Sequence, residues 1–212
     1  MKVSKFFAAL FGLLGIGVGV MGIYLSFQNM NASPVLLEQP DAARERAAAV
    51  MDAVCAADYE TVGSMLHGRP QLGIDRQAEE DVGVVIWEAF EASQSYELVG
   101  ECYATDSGVA LDVTFQCLDL DSVTATLKDR SQALLEQRVA EAEDTSEVYD
   151  ENNDYREDFV MGVLYDAALQ ALEEDARQTT FTITLNLVHE DGQWWVVPDA
   201  PLLDAISGGI LS

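Results

Sequence analysis

The residues able to do acid–base, nucleophilic or metal chemistry are few and scattered. The 212-residue chain has two histidines, His67 and His189, and three cysteines, Cys55, Cys102 and Cys117. No two cysteines have the CxxC spacing of metal or redox sites, and two histidines leave a zinc ion short of its usual ligand set. An odd cysteine count argues against a disulfide framework. Asp150, Asn152 and Asp154 alternate like the opening of a calcium loop. The sixth and twelfth loop positions, which need Gly and a bidentate Glu, hold Tyr155 and Met161, so a solvated connection is expected there. There is no GxSxG, HExxH, P-loop or GxGxxG pattern. No catalytic, cofactor-binding or metal residue is therefore assigned, and no cofactor is expected. His67 falls at a helix end, where a partial positive charge suits the helix dipole.

Charge narrows the partners. The chain has 37 acidic residues against 11 Lys and Arg, a net charge of −26. Lys2 and Lys5 sit at the extreme N-terminus, so the bulk of the chain is more acidic still. Such a surface repels phosphate backbones, and nucleic acid is not expected as a partner. Solubility is the plain reading of the acidity, and a salt-rich habitat is another.

Lys2 and Lys5 precede "FFAALFGLLGIGVGVMGIYLSF", residues 6–27. As a helix this stretch reaches roughly 33 Å, enough for a bilayer core of about 30 Å. The flanking lysines favour a cytoplasmic N-terminus, residues 1–5, which places the acidic remainder outside the cell membrane. A cleaved signal peptide is the competing reading, but its apolar region is normally shorter. Gly15 and Gly19 form a GxxxG pair, a candidate dimer face for a homodimer.

Residues 28–40 read as a linker and residues 41–212 as the extracytoplasmic domain. Asp41 is a plausible cap for a helix with Ala43, Ala47, Val50, Met51, Val54 and Cys55 on one stripe, which makes Cys55 a buried thiol. Asp58 caps a second, shorter helix ended by Gly68 and Pro70. A third runs through "AEEDVGVVIWEAFEAS", with Val82, Val85, Ile86, Ala89 and Phe90 inward, although the continuous apolar run Val82–Trp87 also fits a strand at its start. A hairpin follows over residues 95–120. Centred on Asp106-Ser107, its register sets Cys102 opposite Leu111 and Tyr96 opposite Cys117. Cys102 and Cys117 are then about 20 Å apart, too far for a disulfide. Residues 121–177 read as a helical insertion, with Val123, Leu127, Leu134 and Leu135 on one stripe and Phe159, Val160, Val163, Leu164, Ala167, Ala168 and Ala171 on another.

The last hairpin carries the strongest local signal. "TTFTITLNLVH" alternates Phe181, Ile183, Leu185 and Leu187 against threonines and Asn186, and Asp191-Gly192 is a type I′ turn signal. Leu187 then faces Val196 and His189 faces Trp194. Trp194 belongs to the core face, and Trp195 lies on the other face beside Val188 and Val197. Such a patch calls for the helical insertion to cover it or for a partner.

The order helices, hairpin, helical insertion, hairpin resembles the cystatin-like fold of the nuclear transport factor 2-like superfamily. The resemblance rests on "RAAAVMDAVCAADYETVGSML", on the strand-turn-strand of residues 95–120 and on "DGQWWVVPD". It implies an α+β domain, with helices packed on a curved antiparallel sheet, in a membrane-anchored bacterial envelope protein. It also implies a cavity between sheet and helices, which enzymatic members line with Asp, His or Tyr. His189, Tyr96 and Trp194 are the corresponding face residues here. The 57-residue insertion is long for the superfamily. The expected function is a non-catalytic extracytoplasmic domain that binds a protein or small ligand. The alternatives are a small-molecule enzyme using His189 or Tyr96 as acid or base, and a structural dimer.

Overall fold

The computed structural model describes residues 40–72, 82–174 and 176–208. The chain is α+β, with seven helices and a four-stranded antiparallel sheet among the described residues. Among them no helix is long and apolar enough to cross a membrane. The anchor expected at residues 6–27, with Gly15 and Gly19, lies outside them. Two compact units are defined by their internal contacts, one built on the sheet and one helical.

The sheet unit opens with α1 (Pro40–Cys55) and α2 (Tyr59–Met65). The first helix starts at Pro40, so Asp41 sits in its first turn rather than capping it. Pro is well placed there, since the first turn has no use for its missing N–H. The stripe Ala43, Ala47, Val50, Met51 and Val54 is buried as the 3.6-residue period requires. Cys55, at the end of the stripe, is only half-buried. Asp58 caps α2 by accepting the Thr61 backbone N–H at 3.0 Å.

The strands are β1 (Ser95–Ala104), β2 (Val109–Leu118), β3 (Gln178–Glu190) and β4 (Gln193–Val196), paired in that order. Pairing sets Tyr96, Phe115 and Phe181 in one row and Leu98, Val113 and Ile183 in the next. Paired residues share a face, so this face carries the apolar set. Helix α1 meets it, because the Tyr96 hydroxyl donates to the Ala48 carbonyl on that helix. The opposite face of the same strands carries Thr114, Thr182, Thr184 and Asp112.

The first hairpin departs from the expected register. Near the turn Ala104 pairs with Val109, in agreement with the centre at Asp106-Ser107. Between Val99, which pairs with Asp112, and Tyr103, which pairs with Ala110, β1 holds two extra residues. Gly100 sits in this bulge with φ +68°, a conformation that favours glycine. Tyr96 therefore pairs with Phe115, and Cys117 pairs with Thr179 of β3. Arg44 of α1 reaches the bulge and donates to the Leu98 and Gly100 carbonyls. Because the bulge holds an even number of extra residues, each side chain of β1 keeps its face.

The second hairpin has the expected register, with Leu187 opposite Val196, Val188 opposite Trp195 and His189 opposite Trp194. Asp191 and Gly192 both have positive φ, +51° and +76°, as a type I′ turn requires. A further helix, absent from the sequence reading, follows β4. It spans Ala200–Ser207, and Asp199 caps it through the Leu202 backbone N–H. Gly208 ends it in the left-handed conformation.

The helical unit contains the first two turns of α3 (Val82–Ser93), then α4 (Leu120–Glu141), the single turn α5 (Thr145–Val148) and α6 (Glu157–Glu174); the last turn of α3 belongs to the sheet unit. The helix following β4 is accordingly α7. In α3 Val82, Ile86, Trp87 and Phe90 are buried, while Val85 and Ala89 are only partly so. Helices α4 and α6 run antiparallel. Arg130 pairs with Glu174, and Arg138, two turns further along, pairs with Asp166, two turns back. Their seam is Val123, Leu127 and Leu135 against Val160, Val163, Leu164, Ala167, Ala168 and Ala171. Leu134 and Phe159, expected in the seam, are half-buried at its margins.

The connection between these helices is a closed loop. Asp150 Oδ1 accepts the backbone N–H groups of Asn152 and Asp154, each at 2.9 Å. Tyr149 and Tyr155 stack across the loop with centroids 5.1 Å apart, and Phe159 continues the stack at 6.4 Å. The carboxylate is thus committed to holding the turn.

Candidate functional site

The sheet places the two acid–base candidates far apart. Tyr96 shares a row with Phe181, and His189 lies eight residues further along β3. At about 3.3 Å per residue the separation is roughly 26 Å along the strand. The Tyr96 hydroxyl donates to Asp52 Oδ1 at 2.6 Å and to Ala48 O at 3.2 Å. Burial and the Asp52 hydrogen bond push its pKa well above the ordinary phenol value. A phenol held in that way is a structural donor to α1. His189 is exposed, and its ring lies 5.0 Å from that of Trp194 at a 57° tilt. Trp194 is buried, and its indole N–H has no partner among the described residues.

The other face of β4 holds a denser arrangement. Of the expected patch Val188, Trp195 and Val197, Val188 is only 2% exposed. It is not part of an open surface. Asn186 shares its face and donates to Asp199 Oδ2 at 2.8 Å, which fixes the start of α7 against β3. The apolar residues of α7, Leu202, Leu203, Ala205 and Ile206, are buried. Trp195 and Val197 remain half-buried.

Two arginines of the sheet unit lie over the Trp195 ring. The guanidinium carbon of Arg69 is 5.0 Å from the ring centroid and that of Arg46 is 5.9 Å away. Each contact is a cation–π interaction of about 0.5–1 kcal/mol. The two guanidinium carbons are thereby within about 11 Å of each other. At that outer limit their mutual repulsion in water is about 0.4 kcal/mol, and it grows as the two approach.

Local structure explains how these side chains meet. Arg46 lies on α1 at the margin of the buried stripe Ala43, Ala47 and Val50 and is itself half-buried. Arg69 follows the end of α2, where the chain runs beside the free edge of β4. Leu66 makes a parallel bridge with Val196, and the His67 N–H donates to Val196 O at 2.8 Å. The chain then turns through Gly68 at φ +78° and Arg69 at φ +48°. The Arg69 N–H returns to Leu66 O at 3.0 Å. A non-glycine residue in the left-handed region costs roughly 1–2 kcal/mol, so this placement of Arg69 is imposed by its surroundings. The turn is also packed from below, since a Cβ on Gly63 would fall 2.4 Å from Pro70 O. His67 Nε2 lies 3.2 Å from Glu190 Oε2, which ties the same turn to the end of β3.

Among the described residues nothing accepts from the Arg46 and Arg69 guanidiniums. Arg44 donates to β1 carbonyls, and Arg130, Arg138 and Arg156 donate to Glu174, Asp166 and Asp158. Arg46 and Arg69 have no hydrogen-bond or carboxylate partner among the described residues. In a chain of 37 acidic residues, two unsatisfied guanidiniums on one ring are the least expected charge arrangement. Sequence reasoning singled out Trp195 and missed both arginines, because they are distant from it in the chain. The usable signal was their rarity, with 11 cationic residues in all.

The Cys55 thiol is pushed up by burial and by Asp52, and that of Cys102 mainly by burial. Among the described residues no cluster of His, Cys, Asp or Glu is arranged to hold a metal. Compared with family models, curated proteins and solved structures, the chain matches none.

Proposed function

We propose that this protein is a membrane-tethered, extracytoplasmic binding module of the cell envelope, with a sheet unit of cystatin-like type presenting the binding site. The observation that carries the reading is Trp195 under Arg46 and Arg69, with the Arg69 turn tied to β4 and neither guanidinium given an acceptor by the described residues. A binding role is favoured over catalysis by the acid–base candidates. The Tyr96 hydroxyl is committed to Asp52, and His189 lies roughly 26 Å away along the sheet.

The envelope placement rests on the sequence of residues 6–27, which is long and apolar enough to span a bilayer, and on the lysines before it. Alkaline phosphatase fused after Ser212 tests it, because that enzyme is active only outside the cytoplasm. Activity in the fusion, with the protein in the membrane fraction, is the expected result. An inactive fusion paired with an active cytoplasmic reporter at the same position refutes the topology. Release of the domain from membranes without detergent refutes the tether and favours a cleaved leader.

A further inference from the structure

We propose that Arg46, Trp195 and Arg69 form a receptor for a dianionic oxyanion group, a phosphate or a pair of carboxylates. The inference rests on the reading of the sheet unit as a binding module and names the ligand chemistry of its site.

Three observations converge. Two guanidiniums meet on one aromatic ring, at 5.0 Å and 5.9 Å from its centroid. A guanidinium carries five N–H donors, and pairs of them match the oxygens of phosphate and carboxylate in a bidentate fork. Neither arginine has an acceptor among the described residues, whereas Arg44, Arg130, Arg138 and Arg156 each have one. The third observation is preorganisation. The backbone at Arg69 is held at φ +48° by the Leu66–Val196 bridge and the Arg69–Leu66 hydrogen bond. A site built before its ligand arrives loses less entropy on binding.

Overall charge sharpens the argument. A net charge of −26 repels anions at long range, so an anion that binds must be held by direct donation at short range. A dianion suits the site better than a monoanion, because it neutralises both guanidiniums. The half-buried Trp195 ring supplies a flat apolar wall beside the bound group. Glu190, at the end of β3, lies 3.2 Å from His67 Nε2 and pairs with neither arginine.

The test uses the full 212-residue chain in detergent micelles, titrated calorimetrically with inorganic phosphate and with citrate. Vesicles of phosphatidylcholine with or without phosphatidylglycerol form the third arm. The expected result is saturable binding of at least one of these oxyanions. R46Q and R69N should each weaken it at least tenfold, and R177Q should leave it unchanged. Asn is chosen at position 69 because it tolerates the left-handed backbone. Near-UV circular dichroism of each variant confirms that the tryptophans keep their packing. Binding of phosphate or citrate identifies a free ligand, and binding of phosphatidylglycerol vesicles alone identifies a lipid headgroup; both support the oxyanion site. Absence of binding in all three arms at 10-fold excess over millimolar protein overturns it, as does binding that R46Q and R69N leave intact. A cytoplasmic C-terminus together with arginine-dependent binding overturns only the envelope placement. A correct topology without binding overturns only the oxyanion site.

Discussion

Replacing Gly108 by alanine should open the centre of the sheet. Gly108 precedes β2, and an added Cβ would lie 2.0 Å from Leu187 O, 3.1 Å from Leu187 C and 3.3 Å from Val188 Cα. All three atoms are backbone, so no rotamer change relieves the clash. Real Cβ contacts stop near 3.0 Å, and the two strands must therefore separate by roughly 1 Å. Overpacking of this kind costs about 1–3 kcal/mol. Loss of one or two ladder hydrogen bonds near Val109 and Leu187 adds about 1 kcal/mol each. The expected total is about 3 kcal/mol, a factor of about 100 in an opening equilibrium. Amide hydrogen exchange is the suitable assay, because it reads the sheet unit without assuming that the whole chain unfolds in one step. Protection at Val109, Leu111, Leu185 and Leu187 should fall about 100-fold, while amides of α4 and α6 keep theirs. A change of less than threefold at the sheet amides would refute the close approach of β2 and β3 at this point.

The opposite sign is expected at Gly162 in α6, where the nearest atom to an added Cβ is Arg138 Nη1 at 3.9 Å. Gly162→Ala should stabilise α6 by about 0.5–1 kcal/mol, read as increased exchange protection there. Tyr96→Phe removes donation to Asp52 and Ala48 and should destabilise the sheet unit by about 1–2 kcal/mol, after discount for partial exposure, measured in urea melts followed by near-UV circular dichroism. Raised above its unfolded value, the Tyr96 pKa adds stability that is full below the ordinary phenol pKa near 10.0 and is lost as pH rises through the folded value. Tyr96→Phe should therefore lose the alkaline limb of that profile. Asp58 behaves in the reverse sense: hydrogen bonds from Thr61 lower its pKa, so its cap on α2 is complete above pH 3.8 and lost as pH falls through the lower folded value. A carboxyl carbon NMR titration should place the Asp58 midpoint below 3.8, and Asp58→Asn should abolish the acid shift seen at the Thr61 amide.

The parts of the fold that the sequence displays are those decided within a few residues. Asp191-Gly192 dictates a type I′ turn, and the pairing of Leu187 with Val196 and His189 with Trp194 follows from it. The α4 and α6 stripes follow from the helical period, with Leu134 and Phe159 displaced to the margin. The first hairpin was half legible. Its turn is visible, but the regular register that sets Tyr96 opposite Cys117 leaves out the bulge at Gly100, for which an interior strand glycine is the usual sign. Helix α7 was missed although Asp199 followed by Pro201 is a helix-start pattern. Its eight residues are too few for periodicity to declare itself. The Trp195 site depends on tertiary approach, since Arg46 comes from α1 and Arg69 from a turn tied to Val196. No local rule connects positions 46, 69 and 195.

The bulge in β1 has a bearing on how this chain can change in length. A strand has two phases, and its side chains exchange faces whenever one residue is gained or lost. With two residues in excess between Val99 and Tyr103, the phase before the bulge equals the phase after it. Deleting one residue of 100–102 would leave a single extra residue, which must be taken up as a one-residue bulge if Tyr96 is to stay on the face that donates to Asp52. Deleting two would straighten the strand and keep both where they are. Variation at this point is therefore uneven: the hairpin lengthens or shortens in pairs without any bulge, whereas an odd step needs one to keep the faces.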